Sequence, residues 1–203
     1  MRALDLFCGA GGATRGLMDA GYHVTGVDLN PQPRYCGDVF VQADALTVDL
    51  DGYDLVWASP PCQAYSVTQS IHGRSYPELI PAIRARLVAS GIPYIIENVV
   101  GAPLVNAIML CGQHFGLDVY RHRLFESGHL LLAPSCHPRH DRRAIEVGRP
   151  AKHGDIMTIA GHFISLDFAR RAMGIDWMTR DELAQAIPPA YSRFLAQQIR
   201  GSL

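Results

Sequence analysis

Lysine is almost absent from this chain of 203 residues: one lysine stands against seventeen arginines. The imbalance reads as composition bias rather than as a built site. Long apolar runs are also missing. None approaches the roughly 18 residues that a membrane-spanning helix requires, and no charged-then-apolar leader of the secretory kind is recognisable. Cysteine is scarce, odd in number and irregularly spaced, at positions 8, 36, 62, 111 and 136. That spacing argues against a paired disulfide framework, and we expect reduced thiols in a cytoplasm-like compartment. Internal repeats and low-complexity tracts are lacking too. The remainder, with 48% hydrophobic and 18% charged residues, suits one globular domain able to bury its own core.

A net charge of −1 gives no general affinity for nucleic acid, but the charge is unevenly placed. Residues 1–60 carry three Arg and eight Asp without Lys or Glu, whereas residues 121–153 carry six Arg, one Lys and five His against two Glu and one Asp. On charge alone the basic segment fits a phosphate backbone or a solvated loop equally well. Its Arg139, Arg142 and Arg143 are candidate nucleic-acid contacts, whose affinity would weaken as salt rises.

Through the first hundred residues, apolar runs alternate with helical patterns. "RALDLF" (2–7), "HVTGVDL" (23–29), "VFVQAD" (39–44), "YDLVWAS" (53–59) and "PYIIENV" (93–99) read as strands. Between them, "ATRGLMDA" reads as a helix stopped by Gly21, and "PELIPAIRARLVAS" (77–90) as one ending at Gly91. Strands rich in Val, Ile and Leu that alternate with helices predict an α/β fold, a mostly parallel sheet with helices on both faces. "DVYRHRLFES" (118–127) adds a strand, and residues 128–155 read as a long loop. "TRDE" (179–182) is a capping box that opens a helix. "PPAYSRFLAQQI" (188–199) is a last helix with proline at its start.

Ligands of parallel sheets bind beyond the C-terminal strand ends. "DLFCGAGG" lies at the first such end, where Gly9, Gly11 and Gly12 allow close approach and present amides at a helix start. The spacing is not the G-x-G-x-x-G of dinucleotide sites. Asp28 ends the next strand, where a carboxylate accepts hydrogen bonds from ribose hydroxyls. Asp44 ends the third, in a position suited to an adenine amino group. Together they point to an adenosine-containing ligand.

"ASPPCQAYS" (58–66) brings Cys62 to the same edge, after two prolines that restrict the backbone. A nucleophilic cysteine is partly exposed and ionisable, unlike a core thiol. Glu97 interrupts the apolar "IIENVV", and desolvation raises the pKa of such a carboxyl so that it can donate a proton. Arg121 and Arg123, two apart on a strand, are expected to project to one face, where one of them steadies negative charge on a bound base. Each residue alone has an ordinary reading: a core thiol, a turn cap with Asn98, two sheet-edge arginines. Convergence on one edge favours a site. "CHPRH" (136–140) with Cys111 matches no paired zinc knuckle, and no metal is expected.

"DLFCGAGG", "PPCQAYS", "IIENV" and "YRHRLFES", in that order, resemble the motifs of DNA cytosine-5-methyltransferases over most of residues 2–127, and weakly again over 170–200. The resemblance implies a Rossmann-like S-adenosylmethionine-dependent methyltransferase fold. It implies a catalytic and cofactor-binding core over 1–127, a reduced target-recognition loop region over 128–157, and C-terminal helices over 158–203 that pack back on the core. Cys62 would be the nucleophile, Glu97 would engage N3 of cytosine, and Arg123, with Arg121, would contact the base. Phe7, Gly9, Gly11, Gly12, Asp28, Asp44 and Pro60 would hold S-adenosylmethionine. Gln63 and Ser66 would touch duplex DNA with its flipped cytosine. The chain departs from the family at Val119, where a glutamine is usual, and in having about thirty residues where a sizeable recognition domain is usual. We therefore expect a short target, weak discrimination or help from a partner protein. Compact enzymes of this kind resemble those of phages and prophages, which fits the cytoplasm of a bacterial or phage-infected cell. Two other readings stay open. One is the same chemistry on RNA, single-stranded DNA or a free pyrimidine nucleotide. The other is a non-catalytic DNA-binding or regulatory subunit that kept the fold.

Overall fold

The alternating runs resolve, in the computed structural model, into one seven-stranded sheet. Residues 1–63, 65, 77–135, 143–145, 154–156, 159, 163 and 165–202 are described. Strands β1 (Arg2–Leu6), β2 (His23–Asp28), β3 (Val39–Gln42), β4 (Leu55–Ala58) and β5 (Tyr94–Asn98) are parallel, as the sequence predicts. With β6 (Ile108–Leu110) and β7 (Arg123–Ser127) the order is β3-β2-β1-β4-β5-β7-β6, and β7 runs antiparallel to both its neighbours. Strand order reverses between β1 and β4, which opens a crevice at their C-terminal ends.

Helices cover both faces. Side chains alternate along each strand, so Leu4 and Leu6 of β1 meet Ile83 and Leu87 of α2 (Ile80–Ser90) on one face. On the other, α1 (Gly12–Asp19) and α5 (Pro189–Ser202) pack Leu17, Tyr191 and Leu195 against Trp57 and Phe125. A third cluster joins α3 (Leu166–Met173) and α4 (Arg180–Gln185) to Ala10 and Val119. Among the described residues no helix is long and apolar enough to cross a membrane.

Three elements differ from expectation. The strand predicted over 118–127 begins only at Arg123, because Arg121 turns to φ 35° and the Gly112 N–H bonds the Tyr120 carbonyl at 2.7 Å. Strand β6 is too short to carry a period. Helix α3 falls where no helix is expected, and local signals bracket it: Ser165 Oγ accepts the Phe168 N–H at 3.3 Å, and Gly174 ends the helix at φ 69°. The predicted capping box is formed, with Glu182 accepting the Thr179 N–H at 2.8 Å and the Thr179 hydroxyl accepting the Glu182 N–H. Residues 136–142 and 146–153 of the predicted long loop lie outside the described residues.

Helices α1 and α5 meet at Gly16. A Cβ there would overlap the Pro189 carbonyl and the Ser192 hydroxyl, and that hydroxyl already donates to the Ala13 carbonyl at 2.8 Å. Glycine costs a helix interior about 0.5–1 kcal/mol relative to alanine, so close approach is what favours it here. Gly16→Ala should lower stability by about 1–3 kcal/mol or more, read as a lower urea midpoint. A raised midpoint would rule out the tight contact.

Candidate active site

One cleft of about 620 Å³ opens at the C-terminal ends of β1, β2, β4 and β5. The β1–α1 turn forms one end of it. Phe7 and Gly9 take left-handed backbone at φ 61° and 50°, and for Phe7, which has a Cβ, that conformation is strained and must be held by its surroundings. The Cys8 N–H bonds the Val27 carbonyl at 3.1 Å, and the Gly9 N–H bonds Asp28 Oδ2 at 3.0 Å. Phe7, Gly9 and Gly12 line the cleft, Gly12 as the first residue of α1. Gly11 is not among the lining residues. It sits at φ 92°, where a Cβ would crowd Cys36 Sγ at 2.7 Å, so it serves the turn itself.

Asp28, at the end of β2, lines the cleft with its carboxylate fixed by the Gly9 N–H and by the Asn30 N–H at 2.9 Å. Asp44, two residues beyond β3, also lines it and accepts the Leu46 N–H at 2.8 Å. Below them Asp5 is fully buried. Its Oδ2 accepts the Thr14 hydroxyl at 2.5 Å, while Oδ1 has no partner among the described residues. Burial raises the Asp5 carboxyl to about 7, against the opposing bonds from Thr14.

At the other end, Pro60, Cys62 and Gln63 line the cleft from the loop after β4. Asn98 Nδ2 donates to the Pro60 carbonyl at 2.8 Å, and the Tyr65 N–H closes a turn on the Cys62 carbonyl at 2.9 Å. Cys62 is half-buried. Burial pushes its thiol above the ordinary value, and Arg123 is the main opposing influence. Cys8 is more deeply buried and is pushed up by burial and by the carboxylates Asp5 and Asp28, which makes it an inert thiol.

Glu97 is 7% exposed. The β5–β7 register pairs it with Phe125, which sets Arg123 diagonally on the same face. Arg123 Nε then lies 3.0 Å from Glu97 Oε1. The Ser59 hydroxyl also donates to Glu97, and Ser59 Oγ accepts the Trp57 indole N–H at 2.9 Å. Burial raises the Glu97 pKa, with Arg123 and Ser59 working against it. A thiol beside a cation and a buried carboxyl whose pKa is raised is equipped for addition to a ring that must be protonated or polarised.

Arg121 is not a strand neighbour of Arg123. It precedes β7, and its buried guanidinium donates to the Ile159 carbonyl and, at 2.7 Å, to the Ala184 carbonyl. Burial and the Arg123 charge push it down to about 9. Arg143 is held by Asp155 at 2.6 Å. Ser66, Arg139, Arg142 and the "CHPRH" segment lie outside the described residues. Among the described residues no cluster of His, Cys, Asp and Glu could hold a metal ion.

Sequence reasoning missed Asp5 and the far wall of the cleft, which Asp181, Glu182 and Gln185 of α4 supply with Ala186 and Ile187. Arg34, in the loop after β2, grips Glu182 with Nε at 2.8 Å and Nη2 at 2.9 Å. The Trp177 indole N–H reaches the Ala10 carbonyl at 2.8 Å. The capping box announces α4 in the sequence, but only these long-range contacts place it at the cleft.

No protein-family model matches this sequence, and no curated protein matches it either. Solved structures do. The chain is similar to a prophage-encoded E. coli protein described as a DNA modification methyltransferase, with a TM-score of 0.68, 13% identity and 99% of each chain covered. It is similar to the S. pombe Dnmt2 methyltransferase, with a TM-score of 0.62, 13% identity, and 100% of this chain and 98% of that one covered. It is similar to the Entamoeba histolytica methyltransferase EhMeth, with a TM-score of 0.59 and the same identity and coverage. At this identity the likeness establishes the fold: the Rossmann-like fold of S-adenosylmethionine-dependent methyltransferases.

Asp5 carries a pH prediction. Its folded value, about 7, lies above the ordinary 3.8, so the folded state holds the proton that the unfolded state releases. Stability should be greatest below the ordinary value, fall as pH rises through the interval, and level off above the folded value. Glu97 is raised too and adds to the slope, while Glu182, lowered by Arg34, opposes it. Urea midpoints across the interval should therefore fall less steeply for Asp5→Asn than for the wild type. Parallel curves would overturn the assignment.

Proposed function

We propose that this chain is a methyltransferase that acts on C5 of cytosine in DNA and uses S-adenosylmethionine. One observation carries the reading: the half-buried Cys62 thiol shares a cleft with the buried Glu97–Arg123 pair. C5 of cytosine is a poor nucleophile until a group adds at C6, which is work for a positioned thiolate. Cys62 Sγ forms the bond to C6 as the thiolate, its proton having passed to water. Glu97, inclined by burial to hold a proton, hydrogen-bonds or protonates N3, so that the electron pair collects at C5. Arg123 contacts the base and offsets developing negative charge. S-adenosylmethionine, when bound, supplies the electrophilic methyl group that C5 takes. A base, water in the simplest case, then removes the C5 proton, and the electrons of that bond expel the Cys62 thiolate.

The residues at the opposite end fit that cofactor. Asp28 and Asp44 offer carboxylates to ribose and adenine, Gly9 and Gly12 allow close approach, and Phe7 adds apolar wall there, as Pro60 does from the thiol end. The unpartnered Asp5 Oδ1 is an acceptor for a donor from outside the chain. A cytosine inside a duplex cannot reach such a cleft, so it must leave the stack. Gln63, next to Cys62 in the chain, and Ser66, Arg139, Arg142 and Arg143 are the proposed DNA contacts. Base-edge contacts carry sequence specificity, and the short 128–157 region leaves room for few of them. Target choice then rests on a short sequence or on a partner protein. The likeness to the prophage methyltransferase and to Dnmt2 supports the methyltransferase class.

Trapping tests the reading. Duplex DNA containing 5-fluorocytosine, given with S-adenosylmethionine, should yield a covalent complex that survives denaturing electrophoresis and is lost in Cys62→Ala. Glu97→Gln should slow methyl transfer by about a hundredfold or more. Parallel trapping on fluorinated RNA, single-stranded DNA and a free nucleotide identifies the substrate. Absence of a complex on all of them would sink the mechanism in favour of a binding subunit.

A further inference from the structure

Tyr191, on α5, is fully buried and is not among the residues that line the cleft. Its ring packs against Phe115 at 5.2 Å and edge-on against Phe125 at 6.0 Å. A phenol in such apolar company needs a partner for its hydroxyl. Tyr191 finds it on the backbone just before Arg123: the hydroxyl lies 3.0 Å from the Arg121 carbonyl and 3.2 Å from the Tyr120 carbonyl, and its one hydrogen donates to this pair.

That stretch needs holding. Arg121 sits at φ 35°, a conformation that residues with a Cβ avoid. The Gly112 N–H fixes the Tyr120 carbonyl at 2.7 Å, and the Arg121 guanidinium is tied to the Ile159 and Ala184 carbonyls. Arg123 rests on the same turn, since its Nη1 donates to the His122 carbonyl at 3.0 Å while its Nε reaches Glu97. We infer that Tyr191 is a positioning residue for the reaction, whose hydroxyl clamps the Tyr120–Arg121 turn and thereby aims Arg123 at Glu97. Arg121 serves the same turn from its other side, through its bonds to the C-terminal segment. The inference rests on the reading of Glu97 and Arg123 as the groups that act on the base.

Tyr191→Phe removes the hydroxyl and keeps the ring. Its kcat for methyl transfer should fall about tenfold, as small misplacements of reacting groups do, while KM for cofactor and for DNA stays within about twofold. Adduct formation on 5-fluorocytosine DNA, measured per folded molecule below the melting temperature, should slow in step. Phe115→Leu loosens the packing on the same ring without touching the hydroxyl; it should lower the melting temperature and leave kcat unchanged. A wild-type kcat in Tyr191→Phe overturns the inference. So does a fall in kcat matched by a rise in cofactor KM, or an equal loss in Phe115→Leu, since either means general loosening. If the wild type itself neither transfers methyl nor forms the adduct, it is the proposed function that fails.

Discussion

A glutamate and an arginine taken out of water together set the terms for the rest of the molecule. Glu97 and Arg123 keep only 9% and 16% of their side-chain surface exposed and stand 3.0 Å apart. Desolvating two ions costs several kcal/mol each, and their attraction repays this only with good geometry and further hydrogen bonds. The surroundings supply both. The β5–β7 register sets the diagonal, the Ser59 hydroxyl and the His122 carbonyl take up remaining capacity, and Trp57 fixes Ser59 in turn. An apolar pair of similar volume would stabilise the fold as well or better. Stability alone therefore does not account for the ion pair at this position, whereas the proposed chemistry at a strand end beside a thiol would.

The second buried arginine sharpens the point. Arg121 feels the Arg123 charge and lies in low dielectric, yet its guanidinium finds two backbone carbonyls. One arginine is committed to a carboxylate at the cleft and the other to architecture. At the opposite end of the cleft a buried carboxyl, Asp5, sits beneath the strained turn at Phe7. The β1–β4 register places Asp5 beside Trp57, so the two ends of the cleft stand on adjacent strands, about 5 Å apart across the sheet. Parallel pairing at the switch point is thus what brings the Asp5 end of the cleft and the thiol within reach of one another.

How much of this was legible follows from which distances matter. Strands buried on both faces must be runs of Val, Ile and Leu, so β1, β2, β4 and β5 could be read as such runs, the exposed edge strand β3 from its valines, and the first helix from its spacing. Cys62, Glu97, Asp28 and Asp44 could be found because parallel strands end at one edge, and a polar residue closing an apolar run is then conspicuous. Arg121 was misplaced because the two-residue rule presumes extended backbone, and nothing local forecasts φ 35° at an arginine. Gly11 was grouped with its neighbours by spacing, while its own constraint is Cys36, far off in sequence. The wall formed by α4 was invisible for the same reason: its position depends on Arg34 and Trp177 reaching across most of the chain.

The C-terminal segment is therefore no appendage to the sheet. Glu182 meets Arg34, Trp177 meets Ala10, Ser192 meets Ala13, and Tyr191 meets the turn before Arg123. These contacts join the C-terminal segment to the loop after β2, to the β1–α1 turn, to the first turn of α1 and to the turn before Arg123. Opening the cleft to water beside Glu97 would undo the burial that raises its pKa. The carboxyl would then ionise more readily, the Arg123 charge would be screened, and water would compete for any electrophile held in the cleft.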